Sequence, residues 1–360
     1  MEAATSTSAV DAEREPTLTT AIFSPQIQAV PMAKNGEEPI KMPPTTIVQI
    51  HRAEQDILDI LKDAVKKSDL RGKKRIFIKP NLSHPAYLPG VVTDPQLTYE
   101  LVGLLRDNAQ EVIVGESDGF NYSCRVAFQK TGMEAAVNKA GGTIINLSED
   151  QVVKVKFPES KSPVKHLFLP KTMLDADAIV DLPLMKTHEF MLYSGAIKNL
   201  FGCIPSNRRI YLHPYLPEVF LRLYQLFTPQ LTIMDARVGI EGNGPTKGKP
   251  VKLDLILTGT DALAVDVVSV QVMGLNWKET YLNYIAQQVN LQEKEILTQG
   301  LQISEVKRKF ELPRVDLPVK AQMEIYRHEY LTKLFFCSLD VVKLFQKVTV
   351  AYRSKATQPA

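Results

Sequence analysis

Short apolar runs alternate with amphipathic stretches from about residue 45 to residue 275. TTIVQIH (45–51), RIFIKPN (75–81) and EVIVGES (111–117) read as strands, each built around consecutive apolar or β-branched residues. Between the first two, Ile57, Leu58, Ile60, Leu61 and Ala64 fall at helical spacing. Pro95 to Asp107 predicts a helix with Asp94 as N-cap and proline at the first position, where its missing N–H leaves no bond unmade. Residues 125–140 predict another, stopped by Gly141-Gly142. Between 143 and 175 the pattern (TIINL, VVKVKF, HLFLP) is more strand-like and predicts an inserted or antiparallel portion. The alternation resumes at 177 with Ala178-Ile179-Val180. It continues through QLTIMDAR (230–237), VKLDLILTG (251–259) and a helix from Asp261 to Met273. Strand–helix alternation predicts an α/β class: a mainly parallel sheet with helices on both faces, as two lobes with a pocket between them, plus a C-terminal helical extension.

The ends of the chain differ from this middle. Residues 1–43 have scattered prolines and few bulky apolar positions, which predicts a disordered leader before an α/β region at 44–300. In the extension, 301–360, Met323, Tyr326, Tyr330, Leu334, Phe335, Leu339 and Phe345 predict a helix over about 319–352, packed on the body. With Phe335-Phe336 on a basic helix, contact with a membrane surface or a partner is the alternative. From residue 301 onward there are 11 Lys or Arg against 6 Asp or Glu, yet the whole chain carries only +3. That balance, with no recognition signature beside it, argues against nucleic acid. No apolar run is long enough to predict a transmembrane segment, and the N-terminus lacks a secretory pattern. Cys124, Cys203 and Cys337 have neither disulfide-framework nor zinc or iron–sulfur spacing, so a cytoplasmic, reducing compartment is expected.

Candidate chemistry sits at or just past strand ends: Lys79-Pro80-Asn81, Gly115-Glu116-Ser117-Asp118, Lys186-Thr187-His188 with Lys198-Asn199, and Asp235 through Gly244. Strand carboxyl ends of one sheet converge on one edge, so these clusters predict a common pocket. Each also has a plain reading as a solvated lysine, a paired turn carboxylate or an ordinary loop. As a site, Lys79 and Lys186 would anchor an anion, and Asn81 would add an amide. Glu116 and Asp235 would serve as acid/base groups or ligands to a hard cation. Neighbouring lysines would hold His188 neutral, as a base or metal ligand. Lys198, framed by Ala196, Ile197, Leu200 and Phe201, would lose basicity on partial burial and become available as a nucleophile. RVGIEGNGPTKGKP (237–250) satisfies neither GxxxxGK[ST] nor GxGxxG, although its backbone N–H groups could meet an anion.

KPN at 79–81, GES at 115–117, LPLMKTH, GAIKNLFG at 195–202, IMDARVGIEGNGPTKGKP at 233–250 and TDALAVDVVSVQVMG at 260–274 occur in order. Together they resemble the family known as domain of unknown function 362, over about residues 44–300. The resemblance implies a small-molecule pocket using Lys79, Asn81, Glu116, Lys186, His188, Lys198, Asn199, Asp235, Glu241, Gly242 and Gly244. Many members carry a ferredoxin-like module with clustered cysteines. This chain lacks such a cluster, so no iron–sulfur cluster is expected. His188 … Ser194-Gly195-Ala196-Ile197-Lys198-Asn199 … Gly202 is also similar, locally, to a stretch of the nickel-pincer lactate racemase family. There a lysine holds a nickel-bearing nucleotide and a histidine shuttles protons and hydride. Ile197 and Asn199 stand where that family has arginine and serine, and Gly202 lacks the preceding proline. The similarity therefore implies a ligand-facing histidine and lysine, and a metal or metal-containing cofactor only as an option.

The leading expectation is an enzyme performing an isomerase- or epimerase-like proton transfer on an organic acid or biosynthetic intermediate. His188 would be the acid/base, Lys198 a tether or electrophile-forming amine, and Glu116 a second acid/base group. A non-catalytic carrier holding a metal-containing or phosphorylated cofactor in the same pocket is the alternative. An interaction protein acting through its basic tail is a third.

Overall fold

The computed structural model describes residues 29–30, 46–119, 122–158, 163–205, 209–336 and 344. Most of the expected leader and of residues 337–360 lies outside the described residues. Ten strands form the main sheet: β2 (Thr46–Arg52), β3 (Arg75–Lys79), β4 (Glu111–Glu116), β5 (Thr143–Asn146), β8 (Ala178–Asp181), β9 (Leu184–His188), β10 (Leu192–Ser194), β11 (Leu231–Glu241), β12 (Lys249–Gly259) and β13 (Ile296–Gly300). The spatial order is β13-β2-β12-β11-β8-β3-β4-β5, with β9 beside β11 and β10 beside β9. β12 and β10 run against the other eight, so the sheet is mainly parallel. A small second sheet joins β1 (Ala29–Val30), β6 (Val152–Lys156) and β7 (His166–Pro170), as the strand-like portion near 143–175 predicted in part.

Both faces of the main sheet are apolar because its central strands are buried on both sides. In β3, Ile76 and Ile78 pack on one face with Leu97, Leu101 and Val102, while Phe77 packs on the other with Val219, Leu223 and Phe227. The helix Leu216–Phe227 buries two flanks. Its Phe220 and Tyr224 join a core with Val265 and Val268 of Ala262–Val272, and its Val219 and Leu223 join the core beneath β6 and β7. The expected pair of lobes thus takes the form of two halves of one continuous sheet.

Two elements differ from the sequence pattern. The helix expected over 125–140 is two helices, Cys124–Lys130 and Met133–Lys139, separated at Gly132 with φ +79°. There the Thr131 hydroxyl donates to Ala127 O at 2.7 Å and the chain turns through the left-handed region that glycine favours. The single C-terminal helix is also broken. Leu317–Arg327 stops at His328, and Glu329–Phe336 follows. Buried Thr332 ties the two together, its hydroxyl donating to Ile325 O at 2.9 Å. No helix among the described residues is long and apolar enough to cross a membrane.

Candidate functional site

Adjacent strands β3, β4 and β8 end together, with Lys79 in register with Asp181 and Ile78 with Val114. Lys79 is fully buried. Its Nζ donates to Glu116 Oε2 at 2.5 Å and to Pro80 O at 2.6 Å. Glu116 Oε1 accepts the Ser117 N–H at 3.0 Å. Gly202 closes over this ion pair: a Cβ there would lie 2.6 Å from Glu116 Oε1 and 3.1 Å from Lys79 Nζ, so only glycine passes so close.

A chain of amides runs from the pair toward β9. Asn199 Nδ2 donates to Asp181 Oδ1 at 2.7 Å and to Lys79 O at 3.2 Å. Asn199 Oδ1 accepts from Asn81 Nδ2 at 3.0 Å, and Asn81 Oδ1 accepts from Lys186 Nζ at 2.9 Å. Lys186 gives its other protons to Ser83 Oγ at 3.1 Å and Val91 O at 2.6 Å. Both lysines expected to anchor an anion therefore have their amino groups engaged inside the protein, and burial, then the Lys198 charge, holds Lys186 well below the ordinary lysine value. Sequence reading passed over Asp181. It is fully buried, its Oδ2 has no hydrogen-bond partner among the described residues, and burial holds its carboxyl well above the usual range, favouring the neutral form. The signal available was an aspartate closing the apolar run AIVD.

Lys186-Thr187-His188 is itself a strand, β9, because Leu182-Pro183 ends β8 and restarts the chain against β11. The hairpin to β10 pairs His188 with Leu192 and Lys186 with Ser194, and returns the chain to Gly195. A short helix, Ala196–Asn199, then carries Lys198 and Asn199. Its first turn is held by Asp266, a second residue that sequence reading missed because it lies within an apolar helix. Asp266 Oδ1 accepts from Ala196 N–H at 2.6 Å and Tyr193 OH at 2.7 Å, and Oδ2 accepts from Ile197 N–H at 3.0 Å. Burial pushes this carboxyl up to about 7 despite those donors.

Above this layer lie Lys198, His188, Arg209 and His213. Lys198 is half-buried, and among the described residues its ammonium makes no hydrogen bond or ion pair. Burial, and then the Arg209 charge, lowers its pKa to about 8. His188 is 9 % exposed, and its Nδ1 accepts the Phe190 N–H at 3.2 Å, which assigns the ring proton to Nε2. Burial, Lys198, His213 and Lys186 hold the imidazole well below its ordinary value, hence neutral. A cavity of about 550 Å³ has walls that include Ser83, His84, Tyr122, Phe201, Arg209 and His213, with no carboxylate among its described lining residues; Lys198 and His188 do not line it themselves but lie within electrostatic reach of Arg209 and His213. Arg209 donates to Asp118 O on one side. His213, also missed, is lowered to about 4, chiefly by burial.

The remaining candidates fall elsewhere. Asp235 binds Arg237 at 2.6 Å, and Arg237 binds Asp94 at 2.8 Å, so these three form a network of their own. Glu241 Oε2 accepts the Glu311 N–H at 3.0 Å. The Gly242 N–H donates to Glu311 O at 2.8 Å, and the Gly244 N–H to Gly242 O at 2.8 Å. A Cβ on Gly244 would overlap the Thr187 carbonyl, and Thr187 Oγ1 donates to Gly242 O at 2.7 Å. The loop thus uses its glycines to pack against β9, and the N–H groups expected to cradle an anion are engaged within the protein. Thr246 alone of this loop lines the cavity. Among the described residues, no three His, Cys, Asp or Glu side chains gather into a set that could hold a metal ion.

Comparison with known proteins gives the lineage. The thylakoid-associated protein sll1697 of Synechocystis sp. is 26% identical over 211 residues, covering 56% of this chain. The match covers 64% of that relative, a little under two thirds of its length. Among solved structures, the lactate racemase apoprotein of Thermoanaerobacterium thermosaccharolyticum aligns over 78% of this chain and 89% of its own, at 13% identity and TM-score 0.36. A protein from Thermotoga maritima aligns over 69% of this chain and 60% of its own, at 12% identity and TM-score 0.34. Likenesses that distant carry over neither activity nor cofactor. The family model described as domain of unknown function (DUF362) matches residues 76–271, more than half of the chain and all of the buried ion pair, amide chain and Lys198 helix. The chain belongs to the DUF362 family.

Proposed function

We propose that this chain is an enzyme that moves a proton at an acidic C–H of a small organic acid or biosynthetic intermediate, in an isomerase- or epimerase-like reaction. One observation carries the reading: an unpartnered lysine lowered to about 8 stands within electrostatic reach of an imidazole held neutral. About a tenth of such an amine is free base at pH 7, enough for a general base whose conjugate acid is only moderately strong. The sequence pattern suggested His188 as the acid/base group, but its tautomer favours a different division of labour. With Nδ1 occupied by the Phe190 N–H, Nε2–H is a donor. It suits the oxygen on which charge develops as the C–H proton leaves for Lys198. Arg209, in a cavity wall without carboxylates, suits the substrate's own carboxylate. The Lys79–Glu116 pair and the Asn81–Asn199 contact act from beneath, fixing the backbone that carries Lys198.

The Lys198 amine would also suit the tether of a metal-containing organic cofactor. Such a group would supply an electron sink. Elemental analysis and intact mass of gently purified protein test for it.

The deciding experiment incubates the protein in D₂O with a panel of small 2-hydroxy, 2-oxo and dicarboxylic acids and follows loss of the C–H signal by NMR. Exchange should fall at least ~100-fold in Lys198→Ala and by a similar order in His188→Ala, with both variants folded. A fully active Lys198→Ala protein would overturn the assignment. Stoichiometric binding of an acid or cofactor without exchange would favour the carrier reading instead.

A further inference from the structure

The family match ends at residue 271, yet helices beyond residue 316 reach back to the cavity. The contact centres on Tyr326 of Leu317–Arg327. Its ring stacks on His213 with centroids 4.2 Å apart and planes 22° from parallel. The edge-to-face partner of Tyr326 is Phe190, at 5.7 Å and 89°. Phe336, from the following helix, stacks on Tyr326 at 5.4 Å and 20°. His213 in turn packs against Phe201 at 6.1 Å, and both line the cavity. Phe190 is the residue whose N–H meets His188 Nδ1. One side chain therefore touches both a cavity wall and the turn that orients His188. A second contact holds the same helices down: Tyr215 OH donates to Glu329 Oε2 at 2.7 Å. The break at His328 makes this possible, because it folds Glu329–Phe336 back so that Phe336 meets Tyr326 and Glu329 meets the segment that begins with Ile210.

We infer that Tyr326 is a positioning residue of the site: through it the C-terminal helix pair closes one wall of the cavity and fixes His213 and the Phe190–His188 turn. The extension is thereby part of the site, and its absence would open the wall. The inference rests on reading the cavity as the ligand site but not on any reaction. What Tyr326 contributes is its ring face. Among the described residues its hydroxyl is engaged only by Gln322 Nε2, at 2.9 Å, on its own helix.

The test needs no substrate. Full-length protein with labelled histidines is titrated by NMR, and the His213 resonance is followed. Its depressed basicity comes first from burial, with the Lys198 and Arg209 charges adding and the Ile210 carbonyl opposing. His188, held neutral, and the uncharged Tyr326 and Phe201 rings face it as well. Tyr326→Ala should raise the His213 midpoint from about 4 toward the ordinary imidazole value, about 6.5. Tyr326→Phe, which keeps the stacking face, should leave it in place. If Tyr326→Ala does not fold, the paired variant Tyr215→Phe with Glu329→Gln loosens the same helices and should move His213 in the same direction. An unmoved His213 in a folded Tyr326→Ala or paired variant would overturn the proposal. A Tyr326→Phe shift as large as that of the alanine variant would do so too. Failure of every organic acid to exchange would sink the proton-transfer reading and leave this result intact.

Discussion

Asp266 offers the most direct test of how the Lys198 helix is held. It is fully buried, and burial raises its carboxyl to about 7 although Ile197 N–H, Tyr193 OH and Ala196 N–H all pull the other way. In the unfolded chain the same group titrates near ~4. Between those values the folded protein keeps a proton that the unfolded chain releases, so ν for the native state exceeds that of the unfolded state. Stability then falls as pH rises from about 4 to about 7 and is flat in this respect on either side. Roughly three pH units at about 1.4 kcal/mol each amount to about 4 kcal/mol, a large part of the ~5–15 kcal/mol a domain has in all. Asp266→Asn cannot titrate. Its Oδ1 can still accept from Ala196 and Tyr193, while its amide faces the Ile197 N–H at a cost of roughly 1–3 kcal/mol that does not depend on pH. Urea unfolding at intervals from pH 4 to 7.5 should show the variant gaining on the native protein by about 4 kcal/mol as pH rises. Asp181 also has a raised carboxyl, chiefly through burial, which is common to both proteins; the part of its rise that comes from the Asp266 charge is lost in the variant and adds to the difference. Parallel stability–pH curves would refute the account.

The Lys79–Glu116 pair should behave as a unit. Lys79→Met alone leaves a buried carboxylate without its partner and should cost about 3–5 kcal/mol in urea unfolding, whereas Lys79→Met with Glu116→Leu should recover most of that loss. Simple addition of the two single costs would show that the pair is not coupled. Arg209 is the charge that most lowers Lys198 after burial, so Arg209→Gln should move the alkaline midpoint of the pH–rate profile upward from about 8. A midpoint that stays in place while KM rises would leave Arg209 a carboxylate anchor only.

Much of the fold is legible in the sequence because its central strands are short, apolar and bounded by turn residues, and strands buried on both faces need no finer pattern. The breaks at Gly132 and His328 are less legible, since hydrophobic spacing runs through both and the interruption is decided by the Thr131 and Thr332 hydroxyls. The candidate site was legible as strand-end positions but not as a set of contacts. A lysine closing an apolar strand can turn inward or snorkel outward, and only the Glu116 contact, 37 residues away, shows that Lys79 turns inward. Asp266 caps the Lys198 helix from 70 residues downstream, and Tyr326 meets His213 from another element altogether. Such pairings leave no local periodicity to read. Asp235 and Glu241 were drawn into the candidate set by sharing a strand end. Strand alternation and a long β11 carry them to Arg237 and to Glu311 instead.

The three lysines differ in their partners. Lys79 has the Glu116 carboxylate at 2.5 Å and the Pro80 carbonyl at 2.6 Å, and Lys186 has a carbonyl, a hydroxyl and an amide oxygen as acceptors, so both amino groups are tied into the scaffold. Lys198 stands one layer higher, where the nearby carboxylates are already committed: Glu116 to Lys79, Asp181 to Asn199, Asp266 to the backbone of residues 196 and 197. A lysine among cations and neutral imidazoles, with no free carboxylate facing it, cannot keep its full basicity when partly buried. The lower layer therefore does more than hold the loop. With Glu116, Asp181 and Asp266 engaged there, the upper layer carries Lys198 and Arg209, which on the proposed reading would draw an acid in and keep the amine partly unprotonated. Replacing Asn199 by Asp would break that arrangement, placing a fresh carboxylate between Asp181 and Lys198. Such a variant should raise the Lys198 midpoint and weaken acid binding together, since both follow from one change of charge.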